Sequence, residues 1–119
     1  MDKKILDELA EAVGEDNIIT DRASMRIFEY GAVDGHKGTP DVIVHITERD
    51  QVSRVLKIAY KYSIPVVTRG SGSSVTGAVA PTKGGIILDL RALDKIKVNI
   101  DDGIVEAEVG ATVLDVDNE

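Results

Sequence analysis

Apolar residues in the first stretch of the chain recur at helical spacing: Ile5, Leu6, Leu9, Ala10 and Val13 fall on one face, and Gly14 follows as a stop. That pattern predicts an amphipathic helix over about residues 2–13. A second, shorter helix is predicted behind Thr20 as cap, with Asp21 in its first turn and Met25 and Phe28 sharing a face. The segment GAVDGHKGTP, residues 31–40, reads as a loop from its Gly, Asp and Pro content. Then the pattern changes. DVIVHI is a compact apolar run, and Thr47 with Asp50 three residues on is the acidic form of a capping box, so a strand should lead into a helix. Val52, Val55, Leu56, Ala59 and Tyr62 are expected to line the buried face of that helix, and Pro65 ends it near Tyr62. IPVVT is the next strand, which makes a βαβ unit, expected to be parallel and right-handed. GIILDL is a third buried strand.

Beyond residue 93 the pattern alternates. KIKVNI and IVEAEV read as half-buried strands flanking Asp101-Asp102-Gly103, whose Asp-Gly pair favours a tight hairpin turn, so the two should pair antiparallel. Thr112 and Asp115 repeat the acidic capping pattern ahead of Val113, Leu114 and Val116. A single turn of helix carries the nucleation cost with little propagation to offset it, so the sequence is expected to stop inside an element.

Between the second and third strands lies PVVTRGSGSSVTGAV, with glycines at Gly70, Gly72 and Gly77 among small hydroxyl residues. Glycine permits positive φ and close approach of a ligand to the backbone. Gly72 and Gly77 have the spacing of a nucleoside-triphosphate loop, but Ala78 and Val79 stand where that loop needs Lys and a hydroxyl. A Rossmann fingerprint fails as well, because Val75 replaces its last glycine and a strand follows in place of a helix. What the residues do allow is an anion-binding nest of backbone N–H groups with the hydroxyls of Ser71, Ser73, Ser74 and Thr76. The alternative is a flexible surface connection, which Val75, Ala78 and Val79 disfavour because a solvated linker has little use for them. Arg69, at the strand exit, either orients a phosphate or is a solvated side chain.

Composition narrows the classes of function. The 119 residues make one domain, and 43% hydrophobic with 29% charged residues is ordinary for a globular protein. A net charge of −7 and an aromatic content of 3% argue against a nucleic-acid partner, which needs cations and stacking platforms. Cysteine is absent, which excludes disulfides and thiolate metal sites and fits a reducing, cytoplasmic compartment. The opening residues lack a secretory h-region and no run has membrane-spanning length. His45, within VIVHI, is expected to be a strand residue on the less buried face, and His36 a loop residue without metal-ligand spacing around it. Asp101 and Asp102 are explained by a turn, with no calcium-loop periodicity. Arg54, Lys57 and Lys61 form the solvated face of the crossover helix.

The run from Thr39 to Leu90 resembles the FAD-binding domain of the vanillyl-alcohol oxidase and p-cresol methylhydroxylase family, most of all the FAD-linked subunit of glycolate oxidase and D-lactate dehydrogenases. The residues that carry the resemblance are Pro40-Asp41 before a strand, the helix Val52 to Ala59, the stretch Ile64 to Gly77, and the strand and turn Ile87 to Ile96. The resemblance implies an α+β fold: the βαβ-containing first subdomain of the p-cresol methylhydroxylase-type FAD-binding fold, truncated, followed by a β-hairpin. It implies one subdomain over 1–119, made of a helical lead-in (1–38), the βαβ unit with its glycine loop (39–93), and the hairpin with a helix stub (94–119). It further implies that the backbone from Arg69 through Gly70, Ser71 and Gly72 to Gly77 wraps the FAD pyrophosphate. Ser73, Ser74 and Thr76 would donate hydrogen bonds, and Gly110 and Thr112 would lie near the cofactor. Some relatives attach the flavin covalently through a His in this loop; Ser73 stands at that place, so non-covalent FAD is implied. The family's second antiparallel subdomain and substrate-capping domain have no counterpart in this sequence, so no catalytic residue carries over. The expectation is thus the FAD-binding portion of an FAD-linked 2-hydroxy-acid oxidoreductase. The alternative is a non-catalytic remnant or interaction module that self-associates or is completed by another chain.

Overall fold

The computed structural model describes residues 1–32 and 35–119. Val33 and Asp34, part of the loop expected over residues 31–40, lie outside the described residues. In chain order the elements are α1 (Lys3–Val13), β1 (Ile18–Ile19), α2 (Arg22–Met25) continuing into a short 3-10 turn (Arg26–Phe28), β2 (Val42–His45), α3 (Arg49–Lys61), β3 (Val66–Arg69), β4 (Ile86–Asp89), β5 (Ile96–Asn99), β6 (Ile104–Ala107) and α4 (Val113–Asp117).

A four-stranded sheet in the order β1-β2-β4-β3 forms the centre. β2 and β3 each pair parallel with β4, while β1 pairs antiparallel with β2 at the edge. The expected βαβ unit is therefore present in a modified form: its two strands are parallel, and β4 has inserted between them. That position suits β4, whose four residues are all buried. A strand covered on both faces reads as an unbroken apolar run, and Ile86-Ile87-Leu88 and Val42-Ile43-Val44 do so. Alternate residues serve opposite faces. Val42, Val44, Ile86 and Leu88 pack with Leu9 and Val13 of α1 and Val55 and Ala59 of α3. Ile43 and Ile87 face the other way, against Met25 and Phe28.

Local chemistry sets the helix ends, and several differ by a residue or so from the sequence expectation. The carboxylate of Asp2 caps α1, and Gly14 closes it at φ 94°. α2 is capped by Asp21, which accepts from Ser24 N at 2.9 Å, and not by Thr20. For α3 the cap is Glu48 and not Thr47. The Gln51 amide oxygen reaches back to accept from the N–H groups of Thr47 at 2.8 Å and Glu48 at 3.1 Å, so the longer Gln51 supplies what Asp50 was expected to. Asp50 pairs instead with Arg54, one turn on. Leu56, expected on the buried face, is exposed, because Val55 and Ala59 are the residues that meet the sheet. At the far end Ser63 takes φ 54°, and Ile64 N donates to Ala59 O at 2.9 Å, a Schellman closure. Lys61 and Tyr62 both reach Glu8 of α1, at 3.1 Å and 2.5 Å, and tie the two helices together.

The hairpin pairs antiparallel as expected, Ile96 opposite Ala107 and Asn99 opposite Ile104, through a turn that includes Gly103 at φ 64°. Its strands are not half-buried. All of β6 and most of β5 are exposed, because only two strands are present and nothing among the described residues covers either face. Thr112 and Asp115 do form the capping box that opens α4.

Candidate dinucleotide-binding site

The C-terminal ends of β2, β4 and β3 carry His45, Asp89 and Arg69 side by side in register. This is the edge of a parallel sheet where ligands are ordinarily held, and the glycine loop leaves β3 there. Asp89 is 3% exposed and accepts from Arg91 Nε at 2.9 Å and Nη2 at 2.6 Å, with His45 Nδ1 2.7 Å away. Burial pushes its carboxyl upward, but the Arg91 side-chain and backbone hydrogen bonds and the charges of Arg91 and His45 outweigh that, leaving it below the ordinary aspartate value. The bond to Asp89 in turn raises the Arg91 guanidinium. Arg69 is lowered, by burial first and by the neighbouring Arg91 second. Both guanidinium groups lie over the Phe28 ring, Arg69 at 5.3 Å and Arg91 at 5.8 Å from its centroid.

Arg69 is neither a phosphate clamp with a free fork nor a solvated side chain. Its Nη1 donates to Tyr30 O at 2.9 Å and its Nη2 to Ile27 O at 3.1 Å, so the guanidinium straps the segment after α2 to the sheet edge. Gly72 sits directly on it, at φ 79°, and a Cβ there would overlap the guanidinium, 2.7 Å from Cζ. Gly77 takes φ 74°, and the space beside it holds the His36 ring. Glycine is thus required at both positions by conformation and by space.

Within the loop the hydroxyls pair among themselves, Ser71 with Ser73 at 2.8 Å and Ser74 with Thr76 at 3.0 Å. Each pair uses one hydroxyl hydrogen and keeps the other for a ligand. Among the described residues, the N–H groups of Ser71, Gly72, Ser73, Ser74, Val75 and Gly77 find no acceptor. Successive unpaired backbone donors with no fixed carboxylate among them suit a phosphate-bearing group.

Of the distant pair Gly110 and Thr112, it is Gly110 that is brought back to this edge. Gly110 N donates to Leu93 O at 2.7 Å, and a Cβ on Gly70 would lie 3.5 Å from Val109 O. Thr112 is less available than the sequence suggests, since its hydroxyl donates to Asp115 at 2.6 Å and accepts from Asp115 N at 3.2 Å. Val109 also borders an open cleft of about 790 Å³ between the hairpin and the start of α3, lined by Arg49, Leu93, Ile96 and Glu106. Two residues of this region escape sequence reasoning. Asp89 is hidden inside an apolar strand pattern, and His36 is brought to Gly77 by a fold-level contact that no local motif announces.

The sequence signature described as FAD binding domain matches residues 40–119. The chain belongs to the FAD-binding domain family. Glycolate oxidase subunit GlcD of Bacillus subtilis is 29% identical over 115 residues, which span 97% of this chain and 24% of that protein. The mitochondrial cytochrome D-lactate dehydrogenase of Arabidopsis thaliana is 30% identical over 113 residues, 91% of this chain and 20% of the relative. The FAD-binding domain described here therefore spans about a quarter or less of the length of these relatives. Its fold is that of alkyldihydroxyacetonephosphate synthase (TM-score 0.84, 21% identity, 99% of this chain and 24% of that one). It is also that of p-cresol methylhydroxylase (TM-score 0.72, 24% identity, 97% and 23%). The cofactor of such a domain is FAD, and the loop's unpaired N–H donors, its free hydroxyl hydrogens and its two glycines without room for a Cβ fit a dinucleotide's pyrophosphate. No helix among the described residues is long and apolar enough to cross a membrane.

Proposed function

We propose that this domain is the FAD-binding portion of an FAD-linked oxidoreductase acting on 2-hydroxy acids, in the manner of glycolate oxidase and D-lactate dehydrogenase. The observation that carries the reading is the row of backbone donors from Ser71 to Val75, with Gly77, that are unpaired among the described residues, held at the C-terminal edge of a parallel sheet beside Gly70 and Gly110. In this reading the loop from Arg69 to Gly77 wraps the pyrophosphate. Arg69 shapes the loop from beneath, Ser73 and whichever of Ser74 and Thr76 keeps its hydroxyl hydrogen donate to the phosphates, and Gly110 lets the 109–112 segment approach. The cofactor is held without a covalent bond, Ser73 offering only a hydroxyl. FAD, when bound, supplies a hydride acceptor for oxidation of a carbon bearing a hydroxyl. The residues that would position the 2-hydroxy acid are not among those of this site, so turnover requires further polypeptide. The three segments 1–38, 39–93 and 94–119 act together as one subdomain, and the absence of cysteine favours a cytoplasmic setting.

One observation favours a second component to this reading. Val98, Ile104 and Val105 of the hairpin and Val113 and Leu114 of α4 are all exposed. Such a surface is suited to being covered by further polypeptide, another chain or a second copy. Flavin fluorescence during titration of the purified chain tests the principal reading. Saturable binding with which ADP competes supports it, and absence of saturation contradicts it.

A further inference from the structure

We propose that His36 is a further contact to the bound dinucleotide, its imidazole closing the glycine loop beside Gly77 and donating to the pyrophosphate. The inference rests on the loop's being the FAD site. A Cβ built on Gly77 would lie 2.9 Å from His36 Cγ and 3.0 Å from Nδ1, so the ring lies against the loop backbone at that glycine.

His36 is not placed there by burial. Its side chain is exposed, and among the described residues it makes no hydrogen bond or ion pair. A ring that lies against Gly77, at the end of a loop with unpaired N–H donors, and makes no hydrogen bond among the described residues has an N–H to offer a ligand. The loop also lacks a free cation. Arg69, the guanidinium nearest to it, is held by Ile27 O and Tyr30 O, and the loop from Gly70 to Ala80 contains no Lys or Arg. In a chain of net charge −7, an imidazole at this place supplies the donor that can carry positive charge toward a phosphate. Lys37, next in the chain, lies in the segment whose backbone bridges to Tyr30, and it serves as the control.

The test exploits there being two histidines. The chain is labelled with ¹⁵N-histidine and titrated with FAD. The ring nitrogens of His36 are expected to shift, while those of His45, held 2.7 Å from Asp89, stay in place. In parallel, His36→Gln is expected to weaken FAD binding by about tenfold or more, the size of a lost charge-assisted hydrogen bond, with its thermal melt unchanged. Lys37→Gln is expected to bind as the parent does. Saturation by FAD with His36 signals unmoved, or with His36→Gln binding normally, overturns the proposal and leaves the loop site standing. Loss of affinity in Lys37→Gln but not in His36→Gln overturns it equally. Absence of saturable FAD binding by the parent chain overturns the loop site itself, and this contact with it.

Discussion

His45 on β2 and Asp89 on β4 stand opposite each other in parallel register, with Nδ1 2.7 Å from Oδ2, and Asp89 is the buried member of the pair at 3% exposure. Arg91 completes the set from the turn beyond β4. Asp89 thereby ties the ends of β2 and β4 together beside Arg69 of β3, the strand from which the glycine loop departs.

The lowered carboxyl of Asp89 gives a pH dependence with a definite sign. A group whose folded value lies below its unfolded value of about 3.9 stabilises the fold fully above that pH, and the contribution is lost as pH falls through the folded value. Asp89→Asn is expected to cost about 1–3 kcal/mol at pH 7, since Arg91 and His45 remain reachable by water, and to flatten the acid limb below about pH 4. Urea denaturation between pH 3 and pH 7 reads both effects. An unchanged acid limb in the variant would exclude Asp89 as its source.

Gly110 and Gly103 separate steric need from conformational need. A Cβ at Gly110 would lie 2.5 Å from Arg91 O, 2.6 Å from Leu90 O and 2.7 Å from Leu93 O, whereas at Gly103 nothing lies within 4 Å. Gly110→Ala is expected to cost about 1–3 kcal/mol through overpacking and to loosen the 109–112 segment. Gly103→Ala should cost about 1–2 kcal/mol, from its left-handed φ alone, and leave FAD binding untouched. Denaturation midpoints paired with FAD titrations of both variants check this, and equal losses of FAD affinity would refute the distinction.

Ser63 offers a change in the stabilising direction. It is the positive-φ residue that closes α3, at 54°, where glycine bears no Cβ penalty. Ser63→Gly is expected to raise stability by about 1 kcal/mol, read as a higher denaturation midpoint at unchanged slope.

Sequence patterning succeeded where one physical cause dominates. Val42-Ile43-Val44 and Ile86-Ile87-Leu88 are legible because strands covered on both faces must be apolar throughout, and Gly72 and Gly77 because their backbone conformations demand glycine. It failed where the outcome depends on distant partners. Nothing local says that β4 inserts between β2 and β3, that Asp89 is buried against His45, or that His36 reaches Gly77. The α3 cap moved from Thr47 to Glu48 because the longer Gln51 reaches both backbone N–H groups. The alternation in β5 and β6 is real, but burial is decided by what packs on a strand, and neither face of this hairpin is covered by the described residues.

That exposure predicts a gradient of protection. Amides of Ile96–Asn99 and Ile104–Ala107 are expected to exchange with solvent faster than those of Val42–His45 and Ile86–Asp89, because a two-stranded hairpin without a packed face opens locally. Hydrogen exchange followed by mass spectrometry resolves the segments. Equal protection would show that the hairpin is covered in solution.

FAD titration of the parent chain beside Gly72→Val shows whether the loop from Arg69 to Gly77 holds the dinucleotide. A Cβ at Gly72 meets the Arg69 guanidinium and strains a φ of 79°, so the substitution distorts the loop at its centre. The parent is expected to bind FAD saturably and Gly72→Val to lose that binding, with circular dichroism showing the sheet intact. FAD binding of equal strength by both chains would contradict it, because the flavin dinucleotide would then be held somewhere other than this loop.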